Sequence, residues 1–265
     1  FRFYLSMISD DVRQRVQALV GMPHVMLVER GNAAIEAAVS LSSKKVLIPE
    51  EGGWLTYTKY HDHGFVRCSD AVIDLDDLQI QLATGEFDMI LYHNPGGYFA
   101  SQPCKEIYDI CSEFGVMVVM DISGSIGTSL YNPDYADIVL GSFGRWKLVD
   151  AHGGGFIAGR DVFDGIVHEL DDEDQLGIIL EKLDGLRERI LFLLEKRNKI
   201  VNDISKDFTV LRQNDPGFVV VVRFSTTAQK EQILFYCDTN DLEWTECPRY
   251  IRVNQKAISI EVKRL

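Results

Sequence analysis

No stretch of this 265-residue sequence approaches the roughly 20 consecutive apolar residues that a helix needs to cross a bilayer. Its first residues show no basic segment leading into an apolar run. Neither a membrane protein nor a secreted one is expected. The five cysteines, Cys68, Cys104, Cys111, Cys237 and Cys247, are odd in number and nowhere spaced as CxxC, which argues against a disulfide framework and a structural zinc site. A reducing, cytoplasmic setting follows from that usage. GxSxG is missing, so a hydrolase nucleophile elbow is excluded, and no GxxxxGK[ST] Walker loop occurs. Basic residues are the minority, 27 against 40 acidic ones, and the net charge of -13 repels a phosphate backbone. Nucleic acid is not an expected partner, and an anionic cofactor has to be held by local donors.

What is present is ordinary globular material, 46% hydrophobic and 25% charged. Short β-branched runs at 25–28, 46–48, 89–92, 116–120 and 138–140 alternate with helix-like stretches at 33–41 and 104–114. That alternation predicts βαβ units around a largely parallel, buried sheet, hence an α/β fold. Gly115 stands where the helix over 104–114 needs a residue free to take positive φ. From 175 to 204, Ile179, Leu183, Leu186, Ile190 and Leu193 mark one face of a long amphipathic helix. Beyond it, 217–224 reads as a strand, 230–240 as a helix, and 250–253 with 258–262 as a hairpin. The expected organisation is a large domain over 1–170, a connecting helix over 171–204 and a small α+β domain over 205–265. The lobe boundary falls near 164–174, where Asp171, Asp172, Glu173 and Asp174 form a solvated helix start.

Three features carry possible chemistry. Ser142 and Lys147 follow a strand that ends at 140, and the glycines Gly153, Gly154 and Gly155 come next, so the segment reaches the carboxyl edge of the sheet where ligands bind in open α/β folds. A surface lysine and a tight turn are the plain alternatives. Asp121 ends the run 116–120; a carboxylate there needs a cationic partner, or it caps the following helix. Gly31, Asn32 and Ala33 lie at a strand-to-helix turn, where free N–H groups and the helix dipole attract a phosphate.

In their order and separation these motifs resemble the fold-type-I enzymes that use pyridoxal 5′-phosphate (PLP), the aspartate aminotransferase superfamily, and within it the DegT-type sugar aminotransferases. The resemblance spans about residues 16–159. It implies a three-layer sandwich around a mostly parallel seven-stranded sheet, with a small C-terminal α+β domain. It implies further that PLP forms a Schiff base on Lys147, that Asp121 holds the pyridine nitrogen protonated, and that Ser142 with Gly31, Asn32 and Ala33 binds the phosphate. Trp54 matches the position of an aromatic stacked on the coenzyme ring, or packs in the core. Asn94, in the Asn94-Pro95-Gly96-Gly97 loop, and Arg252 match places where substrate is contacted, although a salt bridge accounts equally for Arg252. The implied activity is transaminase-type, on an amino acid or an amino or keto sugar, in a homodimer. A lyase of the same fold and a non-catalytic binding module are the alternatives, the second suggested by Gly124, which stands where the sugar aminotransferases carry glutamine. A nucleotide-binding α/β protein is the rival from outside the family. His61 and His63 could suggest a metal site but read as a solvated turn, and His152 lies beside the glycine turn.

Overall fold

The computed structural model describes residues 2–163, 165–166 and 168–265, with side chains from residue 7 onward. The chain runs α1 (Arg2–Val20), β1 (His24–Val28), α2 (Gly31–Val39), β2 (Lys45–Pro49), β3 (His63–Val66), the two-residue strands β4 (Cys68–Ser69) and β5 (Val72–Ile73), and α3 (Leu75–Ala83). It continues through β6 (Phe87–His93), α4 (Cys104–Glu113), β7 (Met117–Asp121), β8 (Ile138–Ser142), β9 (Gly155–Gly159), α5 (Glu173–Asp184) and α6 (Leu186–Ile204). It ends with β10 (Val220–Arg223), α7 (Thr227–Thr239), β11 (Trp244–Cys247) and β12 (Ala257–Ile260).

Seven strands form one sheet in the order β1-β9-β8-β7-β6-β2-β3. All neighbours from β8 to β3 pair in parallel, and only β9 runs antiparallel, to both β8 and β1. The β-branched runs are buried on both faces, as a sheet covered on two sides requires. Their residues alternate between two cores. Ile90, Tyr92, Val118 and Met120 pack on one side, and Met89, Leu91 and Val119 on the other. Each such side chain contributes about 1.5–3 kcal/mol when fully buried. This is the three-layer α/β sandwich expected.

Helix starts follow from their caps. Asp74 accepts from the N–H groups of Asp76 and Asp77 at α3, Asp172 from that of Gln175 at α5, and Thr226 from that of Gln229 at α7. The acidic run 171–174 is thus a helix start. Gly115 ends α4 with φ +66°.

Three expectations need correction or qualification. The single helix over 175–204 is two helices, because Gly185 leaves helical geometry (φ -88°, ψ 4°) and serves as the C-cap of α5 and the N-cap of α6. Residues 250–253 form a turn, in which the Arg249 N–H donates to the Val253 carbonyl at 3.0 Å. The strand that pairs with β12 is β11 instead, and β10, β12 and β11 make a three-stranded antiparallel sheet. The expected boundary at 164–174 begins on Asp164, which lies outside the described residues.

Candidate active site

Strands β1, β2, β6, β7 and β8 all end at one edge of the sheet, and the polar residues that follow them converge there. Arg30 is extended (φ -166°) and α2 begins at Gly31. The N–H groups of Ala33 and Ala34 donate to the Arg30 carbonyl. That of Asn32 has no backbone acceptor among the described residues and remains at the positive end of the helix. Ala33, expected among the phosphate donors, is therefore already spent. Gly31 is glycine because of close approach: a Cβ there would stand 2.6 Å from the Ser142 Cβ and 3.0 Å from its Oγ. The helix tip and the hydroxyl at the end of β8 thus form one cradle.

Asp121 is buried at the tip of β7. Its Oδ2 accepts from the Tyr57 hydroxyl at 2.8 Å and its Oδ1 from the Ser123 N–H at 2.9 Å. Burial, and then the Asp121 charge, push the Tyr57 phenol well above its usual value, so Tyr57 remains a donor. Each carboxylate oxygen keeps a lone pair for another partner. The segment after Asp121 is a series of turns, so the helix-cap alternative does not apply. Ser123 also accepts from the Ser142 N–H at 2.9 Å, tying the ends of β7 and β8 together.

Lys147 follows Trp146, which has φ +64°. The Lys147 Nζ does not reach into open solvent. It donates to the Tyr98 hydroxyl at 2.6 Å and lies 4.6 Å from the Trp54 ring centre. Trp54 is in turn fixed by Asn32, whose Oδ1 accepts from the Trp54 Nε1 at 3.2 Å and from the Thr56 hydroxyl at 3.1 Å. It packs on the core and lines the site at once. Gly31, Asn32, Trp54, Asp121, Ser142 and Lys147 all border one cavity of about 180 Å³. A smaller recess, about 10 Å³, adjoins it and is lined by Gly53, Trp54, His93, Tyr98, Asp121 and Lys147.

Two expected substrate residues are turned elsewhere. The Asn94 Nδ2 donates to the Leu130 carbonyl at 2.6 Å and its Oδ1 accepts from the Gln102 N–H at 3.2 Å, so the side chain braces loops and presents nothing to the cavity. Arg252 is buried and spends its guanidinium internally: Nη2 on both Glu261 oxygens (2.9 and 2.7 Å), Nε on the Ser259 hydroxyl (3.0 Å) and Nη1 on the Ile251 carbonyl (2.6 Å). Burial raises the Glu261 carboxyl, but Arg252 and Lys263 outweigh it and leave the group at about 2. Burial, with Arg252 and Lys147 nearby, lowers Lys263 to about 8 against the pull of Glu261.

Three residues of the site were not singled out in the sequence: Tyr57, Tyr98 and His93. His93 ends β6 opposite Asp121 in the sheet register. It is buried, its Nε2 has no partner among the described residues, and burial pushes it down to about 4 despite Asp121, so it is neutral near pH 7. A polar residue closing an apolar run was the available signal. Among the described residues no group of three or more His, Cys, Asp or Glu is placed to hold a metal ion. The rings of His61 and His63 contact backbone carbonyls in a turn, and His152 is exposed beside Asp150.

No family model matches the chain and no curated protein sequence does. Solved structures do. A serine palmitoyltransferase variant from S. paucimobilis with a bound PLP–myriocin aldimine is 13% identical with a TM-score of 0.76, over 96% of this chain and 71% of that one. An alanine–glyoxylate aminotransferase from Nostoc sp. is 13% identical with a TM-score of 0.73, over 99% and 82%. A 3-amino-5-hydroxybenzoic acid synthase is 13% identical with a TM-score of 0.70, over 97% and 85%. The likeness is one of fold: this chain has the fold of the fold-type-I PLP-dependent enzymes.

Proposed function

We propose that this chain is a PLP-dependent enzyme of the transaminase type, with Lys147 as the amine that carries the coenzyme. The observation that carries the reading is that a lysine amine, a buried carboxylate and the N-terminus of α2, where the Asn32 N–H has no backbone acceptor among the described residues, border the same cavity. The residues fit the group. The cradle of Gly31, Asn32 and Ser142 suits a phosphate, which the N-terminus of α2 attracts against the overall charge of -13. Asp121, held by Tyr57 and Ser123, suits a protonated ring nitrogen. Trp54 supplies a flat face, and Asn32 keeps it in place.

PLP bound there supplies an electron sink for a bond broken at a substrate carbon. The protein's part is to hold and to move protons. Asp121 stabilises positive charge at the ring nitrogen. The Lys147 Nζ takes up a proton from substrate and returns it, and the surrounding side chains keep that amine inside the site.

Two observations narrow the chemistry. All five thiols are pushed upward by burial, Cys68, Cys111 and Cys237 to about 12, Cys104 to about 11 and Cys247 also above its usual value. No thiolate forms near neutral pH, which argues against sulfur transfer through a cysteine. Arg252 is committed to Glu261, which argues against a keto acid gripped by that guanidinium. The test is a titration with PLP: a saturable visible absorption band is expected, lost in Lys147→Ala. A chain that gains no band at saturating PLP contradicts the reading.

A further inference from the structure

Tyr98 is held in place from every side. Its N–H donates to the Pro95 carbonyl at 3.0 Å, its own carbonyl accepts from the Phe218 N–H at 2.7 Å, and its φ is +70°, a region that costs energy for a side chain with a Cβ. Its ring is buried against the His93 imidazole, with 4.4 Å between centres. Three cations surround that ring: the Lys263 Nζ at 5.1 Å, the Lys147 Nζ at 5.2 Å and the Arg252 Cζ at 5.5 Å from its centre. Its hydroxyl accepts from the Lys147 Nζ at 2.6 Å, the one side-chain hydrogen bond that amine makes among the described residues.

Gly124 completes the arrangement. A Cβ at that position would stand 2.9 Å from the Tyr98 Cδ1, 3.1 Å from its Cε1 and 3.1 Å from the His93 Nε2. The space a side chain at 124 would fill is taken by the tyrosine and histidine rings. Neither ring has a flexible end that could swing away, and the Tyr98 backbone is fixed in a strained conformation.

We propose that Tyr98 is a positioning residue that holds the amine of Lys147 within the site, and that position 124 is glycine so that the Tyr98 ring can reach it. The proposal rests on the reading of Lys147 as the reacting amine. A phenol suits the task because it accepts from an ammonium and donates to a neutral amine. The contact therefore persists whichever way the lysine proton moves, and a long, flexible side chain is kept in one place through both states. The flanking cations of Lys263 and Arg252 keep the ring where it is, and Glu261 keeps those cations where they are.

Trace acetylation of the full chain without coenzyme, read lysine by lysine by mass spectrometry across pH 7 to 10, tests this directly. The exposed Lys199 and Lys206 serve as internal standards. Tyr98→Phe keeps the ring and removes only the hydroxyl. Lys147 is expected to acetylate about tenfold faster relative to the standards, the effect of losing one hydrogen bond to a charged group. Gly124→Ala displaces the ring while keeping the hydroxyl, and is expected to raise Lys147 labelling in the same way. The double variant is expected to add nothing beyond either one. Lys147 labelling within twofold of the parent in whichever variant folds, judged by circular dichroism, overturns the proposal. A hydroxyl with only a structural role would lower the melting midpoint and leave the labelling ratio unmoved. A chain that shows the labelling difference but gains no absorption band with PLP sinks the coenzyme reading and leaves the contact standing; unchanged labelling beside a normal band sinks Tyr98 alone.

Discussion

Two buried polar clusters meet at Tyr98, and they differ in how fully their atoms are satisfied. Around Glu261 the carboxylate is saturated: Arg252, Lys263, Thr245 and Ser259 all contact it, and Arg252 turns its Nε, Nη1 and Nη2 to Ser259, the Ile251 carbonyl and Glu261. Around Asp121 the cluster is unfinished. Among the described residues the Asn32 N–H lacks a backbone acceptor and the His93 Nε2 lacks any partner, and the Asp121 oxygens can each accept once more. Buried polar groups are normally paired, so an arrangement that leaves several open at one cavity is built for something that arrives later. A saturated ion pair, in contrast, is a clamp. The difference separates a binding site from a structural one, although both contain the charged side chains that sequence reading selects.

The largest effect is expected from breaking the clamp. Glu261→Ala leaves Arg252 and Lys263 buried without their counter-charge, and a loss of about 3–5 kcal/mol in urea unfolding is expected. Asp121→Asn, with its shape and acceptor retained, is expected to cost the coenzyme-free chain far less and to weaken PLP binding instead. Equal destabilisation by the two substitutions would erase the distinction between the clusters.

The clusters are also expected to come apart in different pH windows. His93 has a folded value near 4 against 6.5 for a free histidine, so the unfolded chain binds more protons between those values and stability falls as pH drops from 6.5 to 4. The full loss is on the order of 3 kcal/mol. Glu261 is held at about 2, against 4.5 when free, so its contribution persists down to pH 4.5 and is lost between 4.5 and 2. Stability measured against pH should therefore fall in two stages, and His93→Phe should flatten the first alone. A single fall below pH 4.5 in the parent would contradict the placement of His93.

Much of the fold was legible in the sequence because the buried parallel strands are β-branched runs with glycine or polar residues at their ends. Position at a strand end also marked Gly31, Asp121, Ser142 and Lys147, which the structure gathers at one cavity. Tyr57 and Tyr98 were not legible. Each acts through a contact to a residue far along the chain, 64 positions to Asp121 and 49 to Lys147, and nothing local about a tyrosine announces such a partner. Arg252 misled for the same reason: Glu261 is only nine residues on, yet it faces Arg252 only once the turn at 250–253 and β12 are in place. The break at Gly185 is not legible because the apolar spacing continues across it.

A smaller effect sharpens the open half of the comparison. Gly31→Ala puts a methyl 2.6 Å from the Ser142 Cβ and forces the tip of α2 away from β8. A folding cost of about 1–3 kcal/mol is expected from the crowding. Affinity for PLP, and for inorganic phosphate as a probe of the cradle alone, is expected to fall at least tenfold. Unchanged phosphate affinity would place the anion elsewhere.

The most direct measurement is chemical. The chain is saturated with PLP, reduced with borohydride, digested and mapped by mass spectrometry. The expected result is a single modified peptide, with the added coenzyme mass on Lys147 and none in Lys147→Ala. Modification spread over exposed lysines, with Lys147 no more labelled than the rest, would contradict the assignment of that amine.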